Sequence, residues 1–125
     1  MKTAIIGAIV SIVGSLPGTT IHYEAPQPER VRAIVTAYTS SEDETDDTPH
    51  ITASGERTRD GIVANNCLKF GTVVEIDSRH YEVQDRLNKR YGCERFDIWM
   101  ESKGEAFEWG RRELSVAING TDLKR

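Results

Sequence analysis

The 125-residue sequence contains few cysteines and histidines, the residues that build zinc sites, and its basic residues are outnumbered by acidic ones. It has two cysteines and three scattered histidines, and Cys67 and Cys93 form no C-x-x-C pair, which leaves a zinc site without support. The formal charge is −4, whereas general nucleic-acid binders are usually basic. We therefore expect no metal, no cofactor and no nucleic-acid partner.

The chain also lacks an apolar run of the roughly 20 residues that a membrane span requires. Residues 4–13 form a shorter apolar run after Lys2, with the length of a signal-peptide core, and Pro17 and Gly18 follow. No A-x-A cleavage pattern is present, so an uncleaved anchor and a buried helix are the alternatives. We predict that residues 1–18 are a signal peptide or N-terminal anchor. The protein is then secreted or part of the cell envelope, and it contacts a membrane only through this segment.

Two further segments look unstructured. Residues 19–31 carry two prolines and mixed charge without an apolar period, which predicts a linker and leaves residues 32–125 as one domain. Five carboxylates lie among residues 42–47. This acidic run predicts a solvated loop, because the spaced D-x-D-x-D-G pattern of a calcium loop is absent.

From residue 32 onwards the sequence becomes a series of short β-like runs rich in β-branched residues. Asp77-Ser78 predicts a hairpin turn. Ser102 and Glu105 form a capping box, which predicts one short helix whose apolar face carries Ala106, Phe107 and Trp109. Many short strands with a single helix indicate an all-β barrel, closed or nearly closed, which protects its edge strands. The expected β runs are 33–38, 61–64, 72–76, 79–84, 97–100 and 114–118.

Two aspartates lie at the ends of neighbouring β runs. Asp85 follows one run and Asp97 opens the next, and the loop between them is rich in arginine and lysine. If the barrel brings the two carboxyl groups together, each disfavours ionisation of the other, which is the arrangement that general acid–base chemistry uses. The alternatives are an ordinary loop ion pair between Asp85 and Arg86, worth about 0–1 kcal/mol, and a turn cap at Asp97.

Seven segments, in this order and at these spacings, resemble the three-aspartate (Asp-Asp-Asp) domain: "VTAYTS", "TASG", "GIVANN", "FGT", "VQDR", "FDIW" and "EWGRRELSV". That domain occurs in membrane-bound lytic transglycosylase A and in small secreted cell-wall proteins. The resemblance covers roughly residues 32–118. It implies a six-stranded double-psi β-barrel with one short helix, and peptidoglycan glycan strands as the partner of a monomer.

The resemblance also implies roles for individual residues. The second and third family aspartates fall on Asp85 and Asp97, with Asp97 as proton donor and Asp85 as its tuner or a substrate anchor. The first falls on Asn66, which can hydrogen-bond a sugar but cannot titrate. The glycine-rich loop of the family is replaced by "RLNKRYGCER". The expected substrate-binding residues are Tyr38, Thr52, Ser54, Asn66 and Arg86.

Other interpretations of several side chains stay open. Aromatic and hydroxyl residues at strand ends, such as Tyr38, are common in any barrel. Arg86 either meets the carboxylates of peptide stems or only solvates its loop. Trp99 and Trp109 either stack on sugars or belong to the core, and their spacing favours the core.

The chemistry implied is cleavage of the bond between the amino sugars of peptidoglycan. In a lytic transglycosylase one carboxyl group protonates the leaving oxygen and then accepts the proton of the attacking C6 hydroxyl group. The alternative is a non-catalytic glycan-binding or wall-loosening module on the same barrel, which Asn66 favours. A third possibility, a structural envelope protein, predicts no groove with converging polar groups.

Cys67 and Cys93 are predicted to form a disulfide, because Cys67 follows Asn66 and Cys93 lies in the loop between Asp85 and Asp97. Such a bridge would tie the three aspartate-equivalent segments together. It would contribute about 3 kcal/mol in the chain-entropy description. Two separate thiols are the alternative.

Overall fold

The six strands that follow residue 28 form a closed barrel. The computed structural model describes the backbone of residues 9–13, 20–24, 27–40 and 50–119, and the side chains of 27–40 and 50–119. The elements are β1 (Ile9–Val13), β2 (Thr20–Glu24), β3 (Glu29–Tyr38), β4 (Ile62–Ala64), β5 (Val73–Ile76), β6 (Arg79–Asp85), β7 (Arg95–Trp99), α1 (Lys103–Trp109) and β8 (Arg112–Ile118). The barrel order is β3-β7-β4-β6-β5-β8, with β8 returning to β3.

The predicted fold class is confirmed. The protein is mostly β, with a closed six-stranded mixed barrel and one short helix, consistent with double-psi topology. The pairs β3–β7 and β4–β6 are parallel and the other barrel pairs are antiparallel. Closure pairs both sides of every strand, so a small sheet keeps no exposed edge. The largest fully buried side chains, which fill the interior, are Phe96, Ile62, Ile76, Ile98, Val35, Val63, Val74, Val83 and Val116, with Asn65 and Thr72.

Strand β3 begins earlier than the predicted run at 33. Its first half pairs with β8, from Glu29 opposite Ile118, and its second half pairs with β7, up to Tyr38 opposite Trp99. Residues 29–31, which the sequence assigns to the linker, are therefore strand residues. The two prolines before β3 hid this start, because the alternation continues only weakly through residue 31.

The first two strands form a separate two-stranded antiparallel sheet, with Ile9 opposite Glu24 and Val13 opposite Thr20. Strand β1 lies in the apolar run of the predicted export segment and β2 lies in the predicted linker. The signal peptide or anchor at 1–18 stays a prediction. The acidic run at 42–47 lies outside the described residues.

No helix in the part of the chain that the structure describes is long and apolar enough to cross a membrane.

The hairpin between β5 and β6 has the turn that its sequence predicts. Asp77 and Ser78 have φ values of 52° and 72°. Positive φ at both central residues is the pattern of a type I′ turn, whose twist matches the flanking strands. Asp77 tolerates this conformation because aspartate is one of the residues that visit the left-handed region most readily.

Helix α1 begins and ends where the capping signals indicate, but its predicted apolar face is partly wrong. The Ser102 hydroxyl group accepts a hydrogen bond from the Glu105 amide at 3.1 Å, and Gly110 ends the helix with φ 70°. Phe107, expected on the buried face, is 87% exposed. Ala106 and Trp109 are three residues apart and face the barrel, so Phe107 points away from it.

Candidate active site

Four residues on four neighbouring strands form one row across the barrel. Thr36 on β3 pairs with Asp97 on β7, and Asp97 pairs with Ala64 on β4. Ala64 also pairs with Asp85 on β6. The two aspartates therefore flank the same residue, with Cα atoms about 10 Å apart, since neighbouring strands lie about 4.8 Å apart.

A register shift places Asp85 in this row. Val63 pairs with Val83, but the next residue, Ala64, pairs with Asp85, so Gln84 is passed over. Such a bulge bends a strand locally and can redirect a side chain. Without the shift Ala64 would face Gln84, and Asp85 would lie one residue beyond the row.

Asp85 is held by three hydrogen bonds. The Tyr38 hydroxyl group donates to Oδ2 at 2.6 Å, and the backbone amides of Ala53 and Arg86 donate to Oδ1, each at 2.9 Å. Tyr38 comes from β3, which β7 and β4 separate from β6 in the sheet order. Two distant segments of the chain therefore converge on this carboxylate and fix its orientation.

Thr52 and Ser54 lie on either side of Ala53, in the turn that contacts Asp85. Their hydroxyl groups are 3.0 Å apart, and the Thr52 oxygen also accepts a hydrogen bond from the Glu56 amide at 3.1 Å. The Ser54 amide donates to the Gln84 carbonyl at 3.2 Å. The two predicted substrate-binding residues are thus at the site, where they build the turn that donates to Asp85.

Tyr38 remains a hydrogen-bond donor at all ordinary pH values. Burial raises its pKa well above the usual 10.0, and the negative charge of Asp85, the hydrogen bond to Asp85 and the negative charge of Asp97 raise it further.

This environment predicts a loss of stability in alkali. The folded-state pKa of Tyr38 lies above its unfolded value, so its stabilisation is present below about pH 10 and is lost as the pH rises further. Above pH 10 this group lowers the free energy of unfolding by up to about 1.4 kcal/mol per pH unit. In Tyr38→Phe the alkaline decline should be shallower, and stability at pH 7 should fall by about 1 kcal/mol because Asp85 loses a donor.

Urea unfolding between pH 7 and pH 11 measures both effects. Tyr91→Phe is the matched control. The Arg90 hydrogen bond and nearby positive charges lower the Tyr91 pKa, so removing this tyrosine should not make the alkaline decline shallower. An alkaline decline equally steep in wild type and Tyr38→Phe would contradict this account of Tyr38.

Asp97 is oriented by a chain of donors. The Thr36 hydroxyl group donates to Asp97 Oδ1 at 2.9 Å, and Arg95 Nη2 donates to the Thr36 oxygen at 3.1 Å. The Arg95 guanidinium group also stacks on the Tyr91 ring, 4.3 Å from its centroid. Sequence reasoning missed Thr36 and Arg95. Thr36 alternates with the buried Ala33 and Val35, but only the β3–β7 register shows that it faces Asp97.

Both the nitrogen and the oxygen of the Asn66 side-chain amide form hydrogen bonds to the loop that follows Asp85. Its Nδ2 donates to the carbonyls of Asn88 and Tyr91 at 2.9 and 3.1 Å, and its Oδ1 accepts from the Leu87 amide at 2.7 Å. An aspartate could not make the two donations. The side chain expected to bind sugar therefore makes its hydrogen bonds within the protein. These bonds explain why an amide, and not a carboxylate, suits position 66.

Asn66→Asp is accordingly expected to destabilise the protein by about 2 kcal/mol, because a carboxylate would face two carbonyl oxygens in place of two donated hydrogen bonds. Asn88→Asp is a matched control in the same loop. Its Oδ1 accepts from the Arg90 amide at 2.9 Å, which aspartate preserves, so its effect should stay within about 0.5 kcal/mol. Urea denaturation compares the two variants. Equal stabilities would contradict the role of Asn66.

Arg86 also acts within the protein. Its Nη1 donates to the carbonyls of Asn65 and Leu68 at 2.7 and 2.9 Å, and its guanidinium group stacks 3.9 Å from the centroid of the Phe70 ring. Burial lowers the pKa of Arg86, while the charge of Asp85 raises it. Arg86 thus closes the 65–68 turn. Its contact with the carboxylates of peptide stems stays a prediction.

Asn65, which sequence reasoning also missed, joins the segments before and after the loop. It is fully buried. Its Nδ2 donates to the carbonyls of Cys93 and Arg95 at 3.0 and 3.1 Å, and its Oδ1 accepts from the amides of Cys67 and Leu68, both at 2.9 Å. The "NN" pair in the sequence was the available signal, since two adjacent asparagines often organise a turn.

The predicted disulfide between Cys67 and Cys93 is confirmed, with Cα atoms 5.4 Å apart and a sequence separation of 26. It links the same two segments that Asn65 joins by hydrogen bonds. Disulfides are typical of proteins in oxidising compartments. The bridge therefore agrees with a location outside the cytoplasm.

Both tryptophans serve the fold. Trp99 is buried and its Nε1 donates to Ser40 Oγ at 2.9 Å. Trp109 Nε1 donates to the Val35 carbonyl at 3.1 Å and packs on the core. Over the residues with described side chains, no group of three or more histidine, cysteine or acidic residues could hold a metal ion.

The chemistry of this site rests on the residues and geometry of the chain itself. No protein-family model, no curated protein and no solved structure matches the sequence.

Proposed function

We propose that the protein is a lytic transglycosylase that cleaves the glycan strands of peptidoglycan, with Asp97 and Asp85 at the reacting centre. The observation that carries the proposal is the pairing of Ala64 with both aspartates, which aligns two carboxyl groups from β6 and β7 in one row. Paired carboxyl groups are the usual apparatus for cleaving a glycosidic bond.

Membership of the three-aspartate domain family is part of the proposal. Its support is the ordered series of seven segments together with the closed six-stranded barrel, consistent with double-psi topology. Because one fold serves many chemistries, the barrel alone does not select this activity. The selection comes from the two aspartates and the residues that orient them.

Asp97 acts first as an acid and then as a base. Its carboxyl proton passes to the glycosidic oxygen as the bond to the anomeric carbon breaks. The C6 hydroxyl group of the same sugar then attacks that carbon and returns its proton to Asp97, which regenerates the enzyme and leaves an anhydro end. Thr36 holds the carboxyl group at Oδ1 through both steps. A fixed orientation keeps the proton within reach of the leaving oxygen.

Asp85 is the fixed carboxylate of the pair. With both oxygens accepting hydrogen bonds, it cannot rotate freely to pass a proton. A fixed negative charge stabilises the positive charge that develops on the sugar ring in the transition state. Tyr38 is the positioning residue for this role.

The protein works outside the cytoplasm, secreted or held at the cell envelope, and acts as a monomer on the glycan strands. The Cys67–Cys93 disulfide supports this location, since it persists in oxidising compartments.

Incubating the purified full-length protein with peptidoglycan sacculi tests the activity. Soluble sugar fragments should accumulate with time and in proportion to enzyme concentration. The proposed cleavage would be contradicted if the protein bound to sacculi but released no soluble sugar fragments at any pH tested.

Such a result would favour the second candidate, a non-catalytic glycan-binding or wall-loosening module. The observation in its favour is Asn66, which stands at the first aspartate position of the resembled family and whose amide is fully engaged with its own loop. The row of Thr36, Asp97 and Asp85 would then bind sugar hydroxyl groups instead of transferring protons.

A further inference from the structure

A cleft of about 620 Å³ lies beside helix α1, and its lining includes none of the four residues of the aspartate row. Strand β7 runs antiparallel to β4, so its last residues lie beside the starts of β4 and β6, whereas Ala64 and Asp85 lie at their far ends. The cleft is bounded by these strand ends and by helix α1. Its lining residues are Asp60, Arg79, Tyr81, Ile98, Trp99, Met100, Glu105, Glu108, Trp109 and Arg112.

The apolar part of the lining, which we call the floor, holds three aromatic side chains, Tyr81, Trp99 and Trp109, together with Ile98 and Met100, and the other five lining residues are charged. Tyr81, Ile98 and Trp99 are buried, and Trp109 is fixed by its hydrogen bond to the Val35 carbonyl. The volume lies within the roughly 300–1,000 Å³ that small-molecule sites occupy. A floor that does not need to rearrange can hold the apolar body of a small ligand at low entropic cost.

The rim carries charges of both signs that do not neutralise one another. Glu105 and Glu108 come from α1, and Arg79 comes from the start of β6. None of these three forms an ion pair within the part of the chain whose side chains are described, and the Arg79 guanidinium group lies over the Tyr81 ring, 5.5 Å from its centroid. Opposite charges are therefore held apart around an open volume.

Arg112 has a different task in the same cleft. It stacks 3.8 Å from the Trp109 centroid, its Nε donates to the Trp109 carbonyl at 3.0 Å, and its Nη1 lies 3.6 Å from Asp77 Oδ2. These contacts fix the wall formed by Trp109. They leave Arg79 as the arginine available to a ligand.

We propose that this cleft binds a small zwitterionic ligand, an amino acid or short peptide, with its carboxylate on Arg79 and its ammonium group between Glu105 and Glu108. The guanidinium group offers planar, paired donors that suit a carboxylate, and an ammonium group suits the acidic helix wall. The side chain of the ligand rests on Met100 and Trp109. This site is separate from the aspartate row and does not depend on glycan cleavage.

The chain contains two tryptophans, and both line the cleft, so their indole N–H signals in a ¹H–¹⁵N spectrum of the full-length protein report binding directly. The probes are L-Ala-L-Ala and D-Ala-D-Ala, each also in an N-acetylated form and in a C-terminal amide form. At least one dipeptide should shift both indole signals in a saturable way. Removing either charge from that dipeptide should weaken its binding about tenfold or more.

The preferred stereoisomer identifies the source of the ligand. Stronger binding of the D,D form indicates peptide from the cell wall, and stronger binding of the L,L form indicates peptide from ordinary proteins. Either preference supports a zwitterion site.

Two variants and one control test which residues bind the carboxylate and the ammonium group of the ligand. Arg79→Gln should bind the free acid and the amide equally, and Glu108→Gln should reduce the advantage of the free amine over the N-acetyl form. Arg30→Gln, an exposed arginine outside the cleft, should bind like wild type. The proposal is overturned if neither dipeptide shifts the indole signals, if the blocked forms bind as tightly as the zwitterion, or if Arg79→Gln still discriminates against the amide.

Discussion

Asp97→Asn is expected to lower the rate of glycan cleavage by about 10²–10⁴-fold, the usual contribution of a general acid–base group. Asparagine keeps the shape of the side chain and an oxygen that can accept the Thr36 hydrogen bond. It cannot give a proton to the leaving oxygen or take one from the C6 hydroxyl group. Folding and attachment to sacculi should therefore persist while cleavage is lost.

Two other aspartate-to-asparagine variants serve as a comparison and a control for Asp97→Asn. Asp85→Asn should reduce the rate less, because the amide oxygen retains part of the hydrogen-bonding pattern while the fixed charge is lost. Asp77→Asn is the control, since it lies in the β5–β6 turn and asparagine suits its left-handed backbone. Initial rates of fragment release rank the variants. A rate for Asp97→Asn equal to that of Asp77→Asn would remove Asp97 from the mechanism.

Asn65→Ala is expected to destabilise the protein by about 3 kcal/mol or more, the largest stability change among the variants considered. The side chain is fully buried and serves four backbone groups, two carbonyls near the start of β7 and two amides after β4. Removing it leaves these groups without a protein partner, and each buried polar group that loses its partner costs about 1–3 kcal/mol, not fully additively.

Urea unfolding of the oxidised protein measures this loss. Asn88→Ala, in the exposed part of the same loop, loses only the hydrogen bond from the Arg90 amide and should lower the free energy of unfolding by about 1 kcal/mol. The disulfide limits how far the segments on either side of Asn65 can separate. A loss for Asn65→Ala that is no greater than the loss for Asn88→Ala would show that the bridge alone holds them.

Local patterns in the sequence predicted most of the strands. The β-branched run at 33–38, the Asp77-Ser78 turn and the Ser102 cap each depend on neighbours a few residues away, and each is confirmed. The Cys67–Cys93 disulfide is confirmed as well. The exposure of Phe107 was missed because a seven-residue helix has too few positions to define its buried face from periodicity.

The candidate site depends on information that no local pattern carries. The row of Thr36, Asp97, Ala64 and Asp85 exists only through the order β3-β7-β4-β6 and through the bulge after Val63. A shift of one residue in register moves a side chain to the other face of a strand. The sequence therefore offered the two aspartates as candidates but could not indicate Thr36, the hydrogen-bond partner of Asp97.

Polar residues in the loop between the aspartates illustrate a second limit. Asn66 and Arg86 have the chemistry expected of sugar- and carboxylate-binding residues, and sequence reasoning assigned them to substrate. In the structure their donors are directed at backbone carbonyls of the 65–68 turn and the 88–91 segment. An irregular loop must satisfy its own backbone groups, and long polar side chains serve this need as readily as they serve a ligand.

The masses of the soluble fragments released from sacculi test the central claim, transglycosylation by Asp97, most directly. Wild type should release fragments whose sugar ends are one water lighter than hydrolysed ends, because the C6 hydroxyl group replaces water as the nucleophile. Asp97→Asn, at the same concentration and over the same time, should release none above the background without enzyme. Anhydro fragments released at equal rates by both proteins would contradict the claim.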